Sequence, residues 1–319
     1  MRVGGTAQHL LEVTMKAIRI HQYGDASILQ LEEIPRLSVA DDQILIRVHS
    51  AGVNPIDWKT RQGYMKQVRP ATFPMTIGQD FAGEVVDAGK ASTQFASGDR
   101  VFGFARGTYA EYAAAKASSV AAIPDSIDFA TAAALPTAGS TALQILRDVV
   151  DAKPGMSILI HGAAGGVGSY ASQIAKNLGA RVIGTATGED IQYLSTLGID
   201  YVVDYTRERF EDKATGMDAV VDLVGGETLS RSYAVVKKGG VLATTVEPID
   251  ESAATRAGIR AVQVIMRPNA ADLAELARLV EKGALQPRLS KTMSLSQAGE
   301  AQELSQAGKA QGKVILNVA

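Results

Sequence analysis

The chain has no cysteine. That excludes a disulfide framework, a Cys-ligated zinc and a thiol nucleophile. Histidine is scarce too: the four are His9, His21, His49 and His161, too few for a His-rich metal site. Neither sign of charge dominates, with 32 basic against 34 acidic side chains, and no Lys/Arg run stands out. Nucleic-acid binding is thereby excluded as a reading. No apolar run approaches the length of a bilayer span, and the start of the chain lacks a basic segment followed by an apolar core and a cleavage site, so a cytoplasmic protein without membrane attachment is expected. At 319 residues there is room for two domains with sizeable cores.

What is present changes character along the chain. Residues 1–14 carry no sustained periodicity and read as a flexible extension or an upstream start, without function. From 15 to about 138, short alternating runs such as Ile44 to Val48 and Asp99 to Phe104 are cut by turn residues, which suits an antiparallel β-rich domain. From 139 to 267 strands and helices alternate. Strands are expected at 157–160, 181–186, 201–203, 218–223, 240–246 and 261–266, and helices near 139–150, 167–179, 189–197 and 227–237. This α/β pattern predicts a doubly wound parallel sheet. Pro154-Gly155 and Gly239-Gly240 read as turns before the first and fifth strands. Asp272 to Lys282 then forms an amphipathic helix, and Lys313-Val314-Ile315-Leu316 a last strand. The tail from 268 is too short to fold alone and is expected to pack back on residues 15–138.

The most informative stretch runs from Met156 to Gly168: an apolar run, a cluster of small residues, then a helical pattern. At such a turn the unpaired N–H groups and the positive end of the helix dipole accommodate a pyrophosphate. Gly165 and Gly168 occupy the last two glycine positions of the G-x-G-x-x-G fingerprint and Ala163 the first, with Gly166 and Val167 between them. His161, where strand meets turn, reads as a packing residue. About 20 residues beyond the last glycine, NAD-binding proteins place an acid on the ribose hydroxyls; here Thr185-Ala186-Thr187-Gly188 offers none, which favours NADPH.

Several motifs in order then point to a family: Ala51-Gly52-Val53-Asn54-Pro55-Ile56-Asp57, Gly78-Gln79-Asp80-Phe81-Ala82-Gly83-Glu84-Val85, Gly98-Asp99-Arg100-Val101, Tyr109-Ala110-Glu111-Tyr112, Ala134-Leu135-Pro136 with Thr141-Ala142, the glycine turn, and Asp222-Leu223-Val224-Gly225-Gly226. From Met15 onward the chain resembles the zinc-independent quinone oxidoreductase branch of the medium-chain dehydrogenase/reductase superfamily. The resemblance implies a GroES-like catalytic domain and a Rossmann cofactor domain with the substrate in the cleft between them. Zinc-dependent members carry Cys where Asn54 stands and Gly-His-Glu where Gly78-Gln79-Asp80 stands, and they add a Cys-rich structural lobe that this chain lacks. No metal is therefore expected.

Without a Lewis acid, the acceptor suited to hydride transfer is one already electron-poor by conjugation, a quinone or an α,β-unsaturated carbonyl. The resemblance places Asn54 at substrate or nicotinamide; capping the turn made by Pro55 is its other reading. Tyr64 is the nearest phenol able to donate a proton, although related reductases carry tyrosines at the positions of Met65 and Lys59. Trp58 lines the cleft or packs within the domain, and Asp57 braces the loop. Thr141 matches a position beside the nicotinamide. The residues Leu223, Val224 and Gly225 would admit its ribose, and Thr185, Thr187 and Tyr205 lie toward the adenosine phosphate. The phosphate-clamping cation of the family is not visible just beyond Thr187, where Glu189 and Asp190 stand. A 2-alkenal, enone or enoyl-thioester reductase and a low-turnover NADPH-binding sensor are the alternatives. The family implies a homodimer, with Ala261 to Met266 as the edge strand that pairs with its symmetry mate.

Overall fold

Three consecutive apolar residues, Ile158, Leu159 and Ile160, are each fully buried, as a strand covered on both faces requires. In the computed structural model, which describes residues 14–318, they lie in the strand Ser157–His161 at the middle of a six-stranded parallel sheet. The order across this sheet is Tyr201–Asp204, Arg181–Ala186, Ser157–His161, Met217–Asp222, Val236–Thr244, Arg260–Gln263. Ile158 stands opposite Val182 on one side and Ala219 on the other. Ile158, Ile160, Val182 and Val221 face one apolar core, and Leu159, Ile183, Val220 and Leu242 face a second. The first core runs on into Phe102, Ile123 and Leu135, so the two halves of the molecule share apolar packing.

Several element boundaries differ from expectation. The helix expected over 227–237 ends at Ser232, and Val236 opens the next strand by pairing with Met217. Its β-branched, buried neighbours Val235 and Val236 suit a pleated surface. Gly239-Gly240 is a bulge inside this strand: Met217 and Ala219 pair with Val236 and Val241. The sixth strand stops at Gln263, because its neighbour ends at Thr244, whose carbonyl accepts the Val264 N–H. Residues 145–149 continue the helix Pro136–Gln144 as a wider turn in which Val150 N–H donates to the Ile145 carbonyl. The helix Glu251–Ala257 was not expected at all.

In the β-rich half, the ten-residue strand Gln43–Gly52 pairs antiparallel with Asp80–Ala88 and Tyr112–Lys116. Lys313–Asn317 joins the same sheet beside Gly52, with Leu289–Ser294 parallel to it. A small sheet combines Thr14–Ile20, Gln30–Pro35 and Met75–Thr76. The helix Ala270–Glu281 buries Leu273 and Leu276 and packs Leu276 against Gly139, where a Cβ would lie 2.9 Å from Leu276 Cδ1. Of the extension expected at 1–14, only Thr14 lies within the described residues, and it already belongs to the first strand.

Candidate active site

The chain turns sharply at Gly162 (φ 68°) and enters the helix Gly166–Asn177. The Gly165 N–H donates to the Gly162 carbonyl at 3.0 Å. A Cβ on Gly168 would lie 2.1 Å from that carbonyl oxygen, so only glycine lets the helix close on the turn. Ala163 is fully buried, and across the sheet a Cβ on Gly184 would meet the Ala163 Cβ at 2.8 Å. Alanine at the first fingerprint position is thus matched by glycine on the neighbouring strand. Gly166, Val167 and Gly168 form the first helical turn, whose N–H groups have no partner within the helix. Thr185 is buried; its hydroxyl oxygen accepts the Gly162 N–H at 3.2 Å and lies 3.3 Å from His161 Nδ1. That hydroxyl braces the turn. His161 is also buried, with Nε2 3.0 Å from Ser232 Oγ and its ring edge-on to Phe210, and burial pulls its pKa down to about 4. The packing role expected for it is what its surroundings provide.

The strand order reverses between Ser157–His161 and Met217–Asp222, and open α/β sheets bind ligands in the crevice at such a point. There Gly162 faces the loop that carries Leu223 and Val224: a Cβ on Gly162 would sit 3.4 Å from Val224 Cγ2. Val224 is half exposed to this crevice side of the sheet, and Gly225 has φ 81°. The buried Asp222 carboxylate fixes the loop by accepting the Gly225 N–H at 3.0 Å and the Thr244 hydroxyl at 3.1 Å.

One strand outward, a cleft of about 450 Å³ is lined by Thr187, Gly188, Ile191, Gln192, Asp204, Thr206 and Arg207. The acids that followed Thr187 in sequence do not line it: Asp190 is paired with Arg288 at 2.6 Å, and Glu189 is exposed. Tyr205 is exposed between two lining residues, with its N–H on the Ala186 carbonyl. Arg207, which also lines the cleft, follows the strand Tyr201–Asp204 and not the loop after Thr187.

On the β-rich side, the helix Pro55–Arg61 opens with a capping box. The Asp57 carboxylate accepts the Asn54 N–H at 2.8 Å and the Tyr109 hydroxyl at 2.8 Å, and burial pushes its pKa up to about 7. Asn54 Nδ2 donates to Asp80 at 2.9 Å, and Asp80 also accepts the Thr137 N–H at 3.0 Å and the Thr137 hydroxyl. The buried Lys313 ammonium donates to the Val53 carbonyl at 2.9 Å and to Asn54 Oδ1. Burial lowers the Lys313 pKa, opposed by the Asp80 and Asp57 carboxylates. The stem of Lys313 runs past the glycine turn, with Cδ 3.4 Å from where a Gly166 Cβ would stand, so one side chain links the turn to the Asn54 cluster.

Asn54 is 1% exposed and both ends of its amide are engaged within the protein, the surroundings that suit its capping reading. Tyr64 is 69% exposed and packs edge-on to Trp58 at 6.1 Å, outside the buried cluster. The Trp58 indole N–H is buried with no partner. Thr141 donates its hydroxyl proton to the Thr137 carbonyl at 2.6 Å and is nearly buried. Gln79 accepts from Arg69 at 3.3 Å. Among the described residues, no group of three or more His, Asp or Glu side chains is placed to hold a metal ion, and no helix is long and apolar enough to cross a membrane.

Comparison with known proteins places this geometry in context. Residues 40–125 match the alcohol dehydrogenase GroES-like domain family, and residues 197–316 match a family described as zinc-binding dehydrogenase. The chain is 34% identical over 331 residues to an NADPH-dependent alkenal/one oxidoreductase, chloroplastic, of Arabidopsis thaliana, covering 98% of this chain and 82% of that protein. Among solved structures, the quinone oxidoreductase of Coxiella burnetii superposes with a TM-score of 0.91 at 35% identity, over 96% of this chain and 100% of the other. A mycobacterial protein complexed with NADPH superposes with a TM-score of 0.88 at 30% identity, over 95% of this chain and 100% of that one.

Proposed function

Because this chain belongs to the quinone oxidoreductase branch of the medium-chain dehydrogenase/reductase superfamily, we propose that it reduces quinones or other conjugated carbonyls with NADPH and without zinc. Residues 139–267 form the cofactor domain in this reading, and 15–138 with 268–319 the GroES-like catalytic domain.

The chain's own residues fit a dinucleotide. Gly162 leaves open the space a side chain would fill, Gly168 lets the helix close on the Gly162 carbonyl, and the N–H groups of Gly166, Val167 and Gly168 lack helical partners, as a pyrophosphate at a helix N-terminus requires. Leu223, Val224 and Gly225 edge the crevice where a nicotinamide ribose would enter. Thr141 has already donated its proton to Thr137, so toward a carboxamide N–H it acts as an acceptor. When bound there, NADPH supplies a hydride from C4 of the nicotinamide.

The observation that carries the metal-free reading is the Asn54 cluster. At the positions of two zinc ligands stand an amide and a carboxylate that satisfy each other, with Thr137 on the carboxylate and the Lys313 ammonium on the amide. A buried cation is thus built into the site as a lysine, and Asp80 already accepts three hydrogen bonds. An acceptor must then bring its own activation: conjugation spreads the developing charge onto an oxygen remote from the hydride, where hydrogen bonds suffice. Alkenal or enone reduction is the second reading, favoured by the identity with the Arabidopsis reductase. The proposal includes a homodimer formed along the edge strand Arg260–Gln263, for which the exposed Ile265 just beyond supplies apolar surface; a monomeric mass in light scattering would reject it.

Steady-state NADPH oxidation with 1,2-naphthoquinone and with 1-octen-3-one tests the function. Turnover of either supports it, and turnover is expected to survive chelator treatment. NADPH binding with neither acceptor reduced would replace the enzyme reading by a sensor or structural role.

A further inference from the structure

The cleft at the ends of Arg181–Ala186 and Tyr201–Asp204 contains a cation that the NADPH reading needs and that nothing in the loop after Thr187 provides. Arg207 is the lining residue with positive charge. Its side chain is 83% exposed, and its one ion pair is a loose approach of Nε to Asp204 at 3.5 Å. Arg288 and Arg231 are closed in tighter pairs, Arg288 with Asp190 at 2.6 Å and Arg231 with Glu211 through two nitrogens at 2.6 and 2.7 Å, while the exposed Arg209, loosely paired with Glu211 at 3.7 Å, does not line the cleft.

The Asp204 carboxylate is held by its own neighbours, and Arg207 balances its charge. One of its oxygens accepts both the amide and the hydroxyl of Thr206, at 3.0 and 2.6 Å, and the other faces Arg207 Nε. Holding a guanidinium by Nε leaves its two terminal nitrogens as a fork, the geometry that binds a phosphate bidentately. The hydroxyls of Thr187 and Thr206 share the lining, and Gly188 opens the helix Glu189–Thr196 at the cleft wall. The cleft also has the right address. It lies one strand outward from the glycine turn, on the side where sheets of this order place the adenosine ribose.

Resting on the NADPH reading, we propose that Arg207 is the 2′-phosphate clamp of this chain, oriented by Asp204, which the hydroxyls of Thr187 and Thr206 hold in place. The cation thus comes from the end of the third strand of the parallel sheet instead of the loop after the second. The terminal nitrogens of Arg207 donate to the phosphate while Nε stays on Asp204. A cofactor without the phosphate leaves Arg207 in its resting pair.

Calorimetric titration with adenosine 2′,5′-bisphosphate and with 5′-AMP tests this without turnover. The wild-type chain is expected to bind the bisphosphate about tenfold or more tightly than 5′-AMP, and the preference is expected to shrink as ionic strength rises, because the site is open to solvent. Arg207→Ala should bring the ratio close to one through the bisphosphate alone, and Arg207→Lys should restore part of it. Since Arg207 is exposed, an unchanged unfolding midpoint should accompany the loss. A wild-type preference that survives in Arg207→Ala overturns the clamp while leaving the NADPH reading intact. A wild-type chain with no preference for the 2′-phosphate overturns both.

Discussion

At the scale of single residues, the turns and loops around the crevice are held by buried side chains. His161 and Thr185 brace the glycine turn from beneath, Asp222 caps the loop beside it, and Asn54 locks the start of a helix. The imidazole of His161 must stay neutral in its buried position. Its pKa is about 4 in the folded protein against about 6.5 unfolded, so the unfolded chain takes up the proton first as pH falls. Stability associated with His161 is therefore present above about pH 6.5 and is lost as pH falls toward 4, by about 2 kcal/mol between pH 7 and pH 4.5. Urea unfolding of wild type and His161→Gln at the two pH values measures this: the variant should lose less stability on acidification, and equal losses would refute the assignment. The turn itself was legible from sequence, since small residues between a strand and a helix have few other uses. The commitment of Asn54 was not, because its amide partners Asp80 and Lys313 lie 26 and 259 residues away.

At the scale of elements, the parallel strands were readable because each is a short apolar run buried on both faces. The helices Glu251–Ala257 and Ala298–Gln306 were not, since each is short and largely polar, with few buried positions to mark a face. Arg207 shows the same limit in another form. Parallel pairing sets Asp204 beside Ala186, so residues far apart in sequence line one cleft. The contact between the turn and the strand Arg181–Ala186 makes a sharper prediction. Gly184→Ala drives a methyl into the Ala163 Cβ and should destabilise the protein by about 1–3 kcal/mol, with weaker dinucleotide binding. Combining it with Ala163→Gly should recover much of that loss. Additive effects in the thermal unfolding of the single and double variants would show that the two side chains do not compete for one space.

At the scale of the whole molecule, Lys313 ties the account together. It comes from the strand that returns the tail to the β-rich sheet, passes the cofactor turn at Gly166, and ends on the Asn54 cluster. In the proposed reading this lysine stands in for a metal as the buried cation, and its contacts link the turn to the Asn54 cluster. The cleft of that reading sets a hydride donor's cradle on one wall against this lysine-held cluster on the other, which suits acceptors activated by conjugation. Transfer of deuterium from NADPH labelled at both C4 positions to 1-octen-3-one, with chelator-treated protein and mass spectrometry of the product, tests that claim most directly. The account predicts 3-octanone carrying one deuterium at C1, the carbon β to the carbonyl, at a rate unchanged by chelation. Deuterium on the carbinol carbon of 1-octen-3-ol, or activity abolished by the chelator and restored by zinc, would contradict it.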